Sequence, residues 1–403
     1  MQARHDPEGA LQRPAGASPA PAHTVRLIDL PQYDTARTPI EKRLTAFLTG
    51  LRKRRLLLAY FRDLREREQR SAPAPARPYN WEYLGELRRG AGLLRFGLPP
   101  GAQTRLERRV DAVVARRHRA SGLGHLKDKG EKERLRPLLG DVPAVTVSSE
   151  DRADEIAASL HEEMPWMAPA TKAVWDALRR SARQGGPVRI GPLLLVGPPG
   201  VGKTAWANRL AGCVGTASSV IDASRGLASF SLVGTERGWA SAQPGRPLQA
   251  MLDARLANPV IVVDEVCKAS SIRSAAGVSA SFLPALLGLL EPESARAWDC
   301  PYFRVRINMS HLSWVMTANT LRTLPEPVLS RCQVLRIPDV TPAQLQDFAR
   351  RRGAALGLSE VAIGAVAEVI DRMPATLHLR LSLRDVNRML ALAEDLASRP
   401  TLH

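Results

Sequence analysis

The chain has 403 residues, is 44% hydrophobic, and carries 57 Lys and Arg against 40 Asp and Glu, a formal charge of +17. That length exceeds one typical domain and leaves ample apolar content for buried cores. It contains no apolar run long enough to span a membrane and opens with none of the apolar segment of a secretory signal, so a cytoplasmic location without a membrane partner is expected. Cys213, Cys267, Cys300 and Cys332 stand far apart with no CxxC pair, which excludes a zinc ribbon or disulfide framework and fits reduced thiols.

Residues 1 to 22 are rich in Pro, Ala and Gly without apolar periodicity, and the stretch 1–40 is read as a disordered leader. From Pro39, Leu44, Phe47, Leu48, Leu51, Leu56, Tyr60 and Leu64 recur near helical spacing, predicting a long helix or helical pair broken near Gly50. SAPAPARP, from Ser71, is a linker. A second helical region runs through Leu106, Val110, Val113 and Val114 into Arg116, Arg117, His118 and Arg119, and KDKGEKERLRP reads as a solvated linker. The region 41–141 is thus basic and helical: between Glu41 and Gly140 lie 25 Lys and Arg against 11 Asp and Glu. Such a field suits polyanions, nucleic acid among them, or serves as a solubilising surface.

At Val142 the composition turns ordinary, opening an expected α/β domain over 142–340. A strand is followed by Ser148 or Ser149 capping a helix with acidic residues in its first turn. Trp166 and Trp175 are candidates for the core or for stacking on a base. The apolar run Leu193–Val196 then feeds GPPGVGKT, comprising Gly197, Pro198, Pro199, Gly200, Val201, Gly202, Lys203 and Thr204, with a helix after it. Strand, glycine-rich loop and helix in that order make a phosphate-binding loop: backbone amides cradle phosphate oxygens, Lys203 reaches the outer phosphates, and Thr204 offers a hydroxyl to Mg²⁺. ATP and Mg²⁺ are the implied ligands.

Ala217–Ala223 is a strand candidate, and 228–247 reads as a loop region containing Trp239. A buried strand, Val260–Val263, delivers Asp264 for Mg²⁺ and Glu265 to orient and deprotonate an attacking water. Leu312–Met316 leads to Asn319, read either as positioning the water or sensing the terminal phosphate, or as a turn residue. After a helix ending at Leu329, Arg331 is placed to reach across a subunit boundary toward a neighbour's phosphate. Residues 341–403 form a small helical lid, in which Arg384 follows the cap Ser382 and faces either the nucleotide or solvent.

From about Asp151 to Leu396 the chain resembles the AAA+ module of Lon proteases. GPPGVGKT, VIVVDEVCK, LLGLLEPESARAW and WVMTANTLRTLPEPVLSR occur in that family's order and spacing. The resemblance implies a P-loop AAA+ fold, a parallel sheet sandwiched by helices with a C-terminal helical lid, here behind a basic, mainly helical N-terminal region. It implies ATP between the subunits of a homo-oligomeric ring, usually a hexamer, with Arg331 as the arginine finger, Arg384 as the second sensor and Trp239 as the pore-loop aromatic. Ala240 and Ser241, within GTERGWASAQPG, depart from the family's pore-loop pattern. The family's β-rich substrate domain is not recognisable, and the chain stops at His403 where a Ser-Lys peptidase domain would follow, so ATPase activity without peptidase activity is expected of this polypeptide. Two roles remain: a motor that remodels or unfolds a protein substrate, or a nucleic-acid-directed ATPase using 41–141, with SRC at Ser330–Cys332 also resembling clamp-loader subunits. A nucleotide-controlled scaffold is a third, against which Lys203, Asp264, Glu265, Asn319 and Arg331 are all present.

Overall fold

The computed structural model describes residues 23–29, 36–70, 98, 100–120, 122–126, 128–225, 228–237, 242–269, 271–273, 279–372 and 381–397. Two units separate, one of Leu30–Asp128 and one of Met1–Asp29 with Lys129–His403.

The first unit is a helical pair, α1 (Arg37–Arg70) and α2 (Pro100–Ala120). Ile40, Leu106 and Val110 are buried in its seam, with Leu44, Leu48, Val113 and Val114 packed around them and Arg37 paired with Asp111. The expected break at Gly50 is absent: α1 continues through it. One glycine in a helix costs only about 1 kcal/mol, and just before it the Thr49 hydroxyl donates back to the Thr45 carbonyl at 2.8 Å. Further along α1, Phe47, Leu51, Leu58 and Phe61 are exposed.

The second unit begins with β1 (His23–Arg26), inside the stretch expected as leader. It pairs antiparallel with β2 (Asp141–Ala144), and the next residues, Leu27 and Ile28, are buried. That apolar pair, hidden next to a Pro/Ala-rich segment, is what orders it. The charged stretch read as a linker contains α3 (Lys129–Leu135) and a 3-10 turn, Arg136–Leu138. Leu135 and Leu138 are fully buried, and Glu131 and Arg134 bond Arg237 and Gln249, so part of the charge docks this helix onto its unit.

There follow α4 (Glu150–Glu163) and α5 (Ala168–Gln184); Ser149 caps α4 by accepting from the Arg152 amide. The nucleus alternates β3 (Leu193–Val196), α6 (Lys203–Val214), β4 (Ser218–Asp222), α7 (Ala228–Val233), α8 (Arg246–Ala254) and β5 (Val260–Asp264). A hairpin of β6 (Ser271–Arg273) and β7 (Ser279–Ser281) leads to α9 (Phe282–Leu290), α10 (Pro292–Arg296) and a second hairpin, β8 (Trp298–Asp299) with β9 (Arg306–Ile307). Then come β10 (Ser313–Ala318), α11 (Glu326–Leu329), β11 (Gln333–Arg336), and three helices, α12 (Pro342–Ala355), α13 (Glu360–Arg372) and α14 (Leu383–Ala397).

Five strands form one parallel sheet in the order β11-β3-β10-β5-β4. Parallel strands need crossovers, which place helices over the sheet and make the strands near-continuous apolar runs. All four residues of β3 and all six of β10 are accordingly buried. The main core joins the sheet to α4, α5 and α6 and to Leu345, Ala349, Val366, Ile370, Leu383, Val386 and Leu390 of the last three helices. Among the described residues no helix is long and apolar enough to cross a membrane.

Candidate active site

The sheet order sets β3, β10 and β5 side by side, so the segments following their carboxyl ends meet at one edge, where open α/β sheets place their ligands. From β3 comes the loop Gly197–Gly202, and Gly202 starts α6 at φ 89. Gly200 is needed twice over: its φ is +81, and a Cβ there would lie 2.6 Å from the Ser382 Cβ. The lid therefore rests on the loop, with the Leu383 amide donating to the Gly200 carbonyl at 3.1 Å. On its other side Trp166, 3% exposed, donates from Nε1 to the Val201 carbonyl at 2.9 Å. Trp166 is thus a core residue that also ties down the loop. Trp175 instead donates to Asp154 across α4 and α5.

Lys203 is 7% exposed, and its Nζ donates to the carbonyls of Gly197 and Pro198 at 2.7 and 2.8 Å and to Asn319 Oδ1 at 3.1 Å. Burial pulls its pKa below the ordinary lysine value; the Asp264 carboxylate acts against this, and the Arg384 guanidinium, whose charge reaches the site, adds to the lowering. Thr204 Oγ1 donates to Asp264 Oδ1 at 2.9 Å. A hydroxyl beside a carboxylate is a hard-oxygen pair of the kind that holds Mg²⁺ together with phosphate oxygens. The buried ammonium, satisfied by loop carbonyls, is the matching cationic group for a phosphate chain. The donor set fits both ligands.

Two residues that the motif reading did not single out complete this edge. The register sets Met316 opposite Val263, which brings Thr317 level with Asp264. Thr317, 1% exposed, donates to Asp264 Oδ1 at 2.5 Å and accepts the Glu265 amide at 3.0 Å. The buried run SWVMTA holds two polar residues, Ser313 and Thr317, and the second, next to its carboxyl end, was the signal. Lys268, three residues after Glu265, donates from Nζ to Glu265 Oε1 at 2.7 Å. That hydrogen bond raises the Lys268 pKa, against a smaller opposing effect of desolvation.

Asp264, Glu265, Asn319 and the Gly197–Thr204 loop are therefore brought together. Arg331 makes its contacts elsewhere, from Nε to Glu291 Oε2 at 2.7 Å and from Nη1 to the Pro327 carbonyl at 3.0 Å. Its neighbour Cys332 is pushed up to about 12 by burial, with Arg331 opposing, so this thiol stays protonated. Arg384 lies exposed in the first turn of α14, where Asp385 accepts from the Ser382 amide and hydroxyl at 3.0 and 2.7 Å. Trp239 lies outside the described residues.

Residues 193–338 match the family described as "ATPase family associated with various cellular activities (AAA)". The chain is 31% identical over 210 residues, 51% of its length, to the peroxisomal Lon protease homolog 2 of Zea mays, covering 23% of that protein. It is 33% identical over 188 residues to the Lon protease of Magnetococcus marinus, covering 44% of this chain and 23% of the other. The matched stretch thus spans about a quarter of these relatives' own length. A chain from the closed-state cryo-EM reconstruction of Hsp104 with ATPγS and FITC casein aligns over 72% of this chain and 51% of its own, with TM-score 0.47 and 17% identity.

Proposed function

We propose, from an AAA ATPase module at residues 193–338 and Lon-like sequence over about half of the chain, that this protein hydrolyses ATP and uses it to remodel or unfold polypeptides. The observation that carries the reading is the cluster of Lys203, Thr204, Asp264, Glu265 and Asn319 at one sheet edge, with Thr204 and Asp264 in direct contact. In this reading 142–340 is the nucleotide-binding domain and 341–403 its lid, and of the basic region 41–141 only the part up to Asp128 lies in a unit of its own.

The loop amides from Gly197 to Gly202, with Pro198, Pro199 and Val201 between the glycines, cradle the phosphates. Lys203 exchanges its neutral loop carbonyls for anionic phosphate oxygens, so that both partners of the bond carry charge. Mg²⁺, held by Thr204 and Asp264, supplies charge neutralisation on the phosphates when bound. Glu265 orients the attacking water and takes its proton, and Asn319 positions that water or the terminal phosphate. Arg384 stands on the lid, where its charge already reaches Lys203. Arg331, about a third exposed and paired with Glu291 of its own chain, is offered to a neighbour's nucleotide in a homo-oligomeric ring. Trp239 is the candidate to grip the polypeptide.

ATP turnover by the full chain, alone, with an unfolded protein, and with single- or double-stranded DNA, at low and moderate salt, tests the proposal. Stimulation by unfolded protein that survives salt supports it. Stimulation by DNA that salt removes identifies a nucleic-acid-directed motor reading through the basic region instead. Arg331→Ala should lower turnover with binding nearly unchanged; a wild-type rate per subunit would overturn the shared site.

A further inference from the structure

Holding a nucleotide and a cation requires nothing of Lys268, yet the turn after β5 is built around it. Glu265 sits at φ 52 and ψ 42, the left-handed region that a side chain bearing Cβ rarely adopts. Strain of this kind persists only where surrounding contacts impose it, and it gathers at functional sites. Three contacts impose it here. The Glu265 amide donates to Thr317 Oγ1 at 3.0 Å. Its carbonyl accepts the Lys268 amide at 2.8 Å, closing the 3-10 turn Val266–Lys268. Its carboxylate Oε1 accepts Lys268 Nζ at 2.7 Å. Among the described residues Oε2 carries no hydrogen bond, so one carboxylate oxygen is fixed and the other is open.

The turn itself is fastened to the segment that follows β10. The Cys267 carbonyl accepts the Thr323 hydroxyl at 2.6 Å, and Cys267 Sγ accepts the Asn319 amide at 3.5 Å. Lys268 is thus anchored, through the preceding residue Cys267, to the segment that carries Asn319, and it hands that anchorage on to the Glu265 carboxylate.

We propose that Lys268 is a positioning residue for the general base: its ammonium holds Glu265 Oε1 so that Oε2 faces the attacking water. The inference rests on the ATPase reading above. A surface ion pair serving stability alone would contribute little in either state, because exposed pairs are screened and lose side-chain entropy. A pair that aims a reacting group acts instead on turnover, since small misplacements of a catalytic group have large effects on rate.

The test compares wild type, Lys268→Met and Lys268→Arg in the full chain, measuring kcat, KM, Tm and the Kd of a fluorescent ATP analogue. Lys268→Met should lower kcat about tenfold, leave the Kd within about twofold, as an aiming role requires, and leave Tm unchanged. Lys268→Arg, which keeps the positive donor, should restore kcat to within about threefold of wild type. Lys268→Met turning over at or above the wild-type rate would overturn the inference, as would a loss of nucleotide affinity or of Tm that accounts for the lost activity. A wild type that hydrolyses no ATP removes the ATPase reading and this inference with it. An active wild type with an indifferent Lys268→Met removes the inference alone.

Discussion

The parallel sheet edge and the α1–α2 pair bury apolar surface to very different depths. Behind the Gly197–Gly202 loop, β3 and β10 are buried throughout and the polar groups at their ends are cross-tied: Lys203 to Asn319, Thr204 and Thr317 to Asp264, and Thr317 to Glu265. In the helical pair the buried residues among those described are Ile40, Leu106 and Val110, with Leu44, Leu48, Val113 and Val114 partly buried around them, while Phe47, Leu51, Leu58 and Phe61 are exposed. The difference separates two kinds of order. At the sheet edge each side chain is held by partners remote in sequence, so chemistry can be placed there to a fraction of an ångström. In the pair, amphipathic periodicity makes helices, and a single row of contacts joins them.

Substitutions can break or sharpen that contrast. The largest effect is expected from Lys203→Ala, which should weaken ATP binding at least about a hundredfold, roughly 2.7 kcal/mol, measured by titration with a fluorescent nucleotide. Leu106→Ala should cost the helical pair about 2–5 kcal/mol, resolved as a separate, lowered melting step while the main transition stays in place. One melting step moving as a whole would show that the pair is not thermodynamically separate. Thr317→Val keeps the shape but removes the hydroxyl that bonds both Asp264 and Glu265; it should cost about 1–3 kcal/mol and lower ATP turnover further than stability alone explains.

Glycine gives the most direct contrast. Gly200→Ala meets Ser382 at 2.6 Å on a backbone at φ +81, whereas a Cβ on Gly50 meets nothing within 4 Å. The first should destabilise by about 1–3 kcal/mol and the second stabilise by about 1 kcal/mol, so thermal melts should move in opposite directions. The smallest effect concerns His311. Burial, with Arg189, His23 and Arg296 adding to it, lowers its pKa in the folded unit. The unfolded chain then binds the proton more readily, so the stabilisation from the neutral ring is complete above about pH 6.5. It is lost as pH falls from that value toward the lowered folded pKa. His311→Gln should flatten this decline in Tm.

Much of the fold was legible because its signals are local. Leu193–Val196 and Val260–Val263 are short apolar runs, and GPPGVGKT carries its own turn chemistry, so strands, loop and helix follow from adjacent residues. Thr317 and Lys268 escaped the motif reading because their meaning depends on register and on a turn that brings a distant strand alongside β5. The helix Lys129–Leu135 hid behind its charges: only two leucines at its end face inward, too few to stand out as a period. Gly50 misled in the opposite sense, since a residue that often ends a helix is outweighed by good helix formers on both sides. The pairing of Arg331 with Glu291 joins residues 40 positions apart, which spacing alone does not reveal.

The seat of the lid on Gly200 has a mechanical consequence. Leu383 opens α14, a helix of 15 residues, and its amide is bonded to the Gly200 carbonyl of the loop after β3. At 1.5 Å per residue such a helix is about 22 Å long, so a tilt of 10° about its first turn carries its far end by about 4 Å. A shift at the Gly200 contact too small to see there would become a side chain's width at the far end of α14.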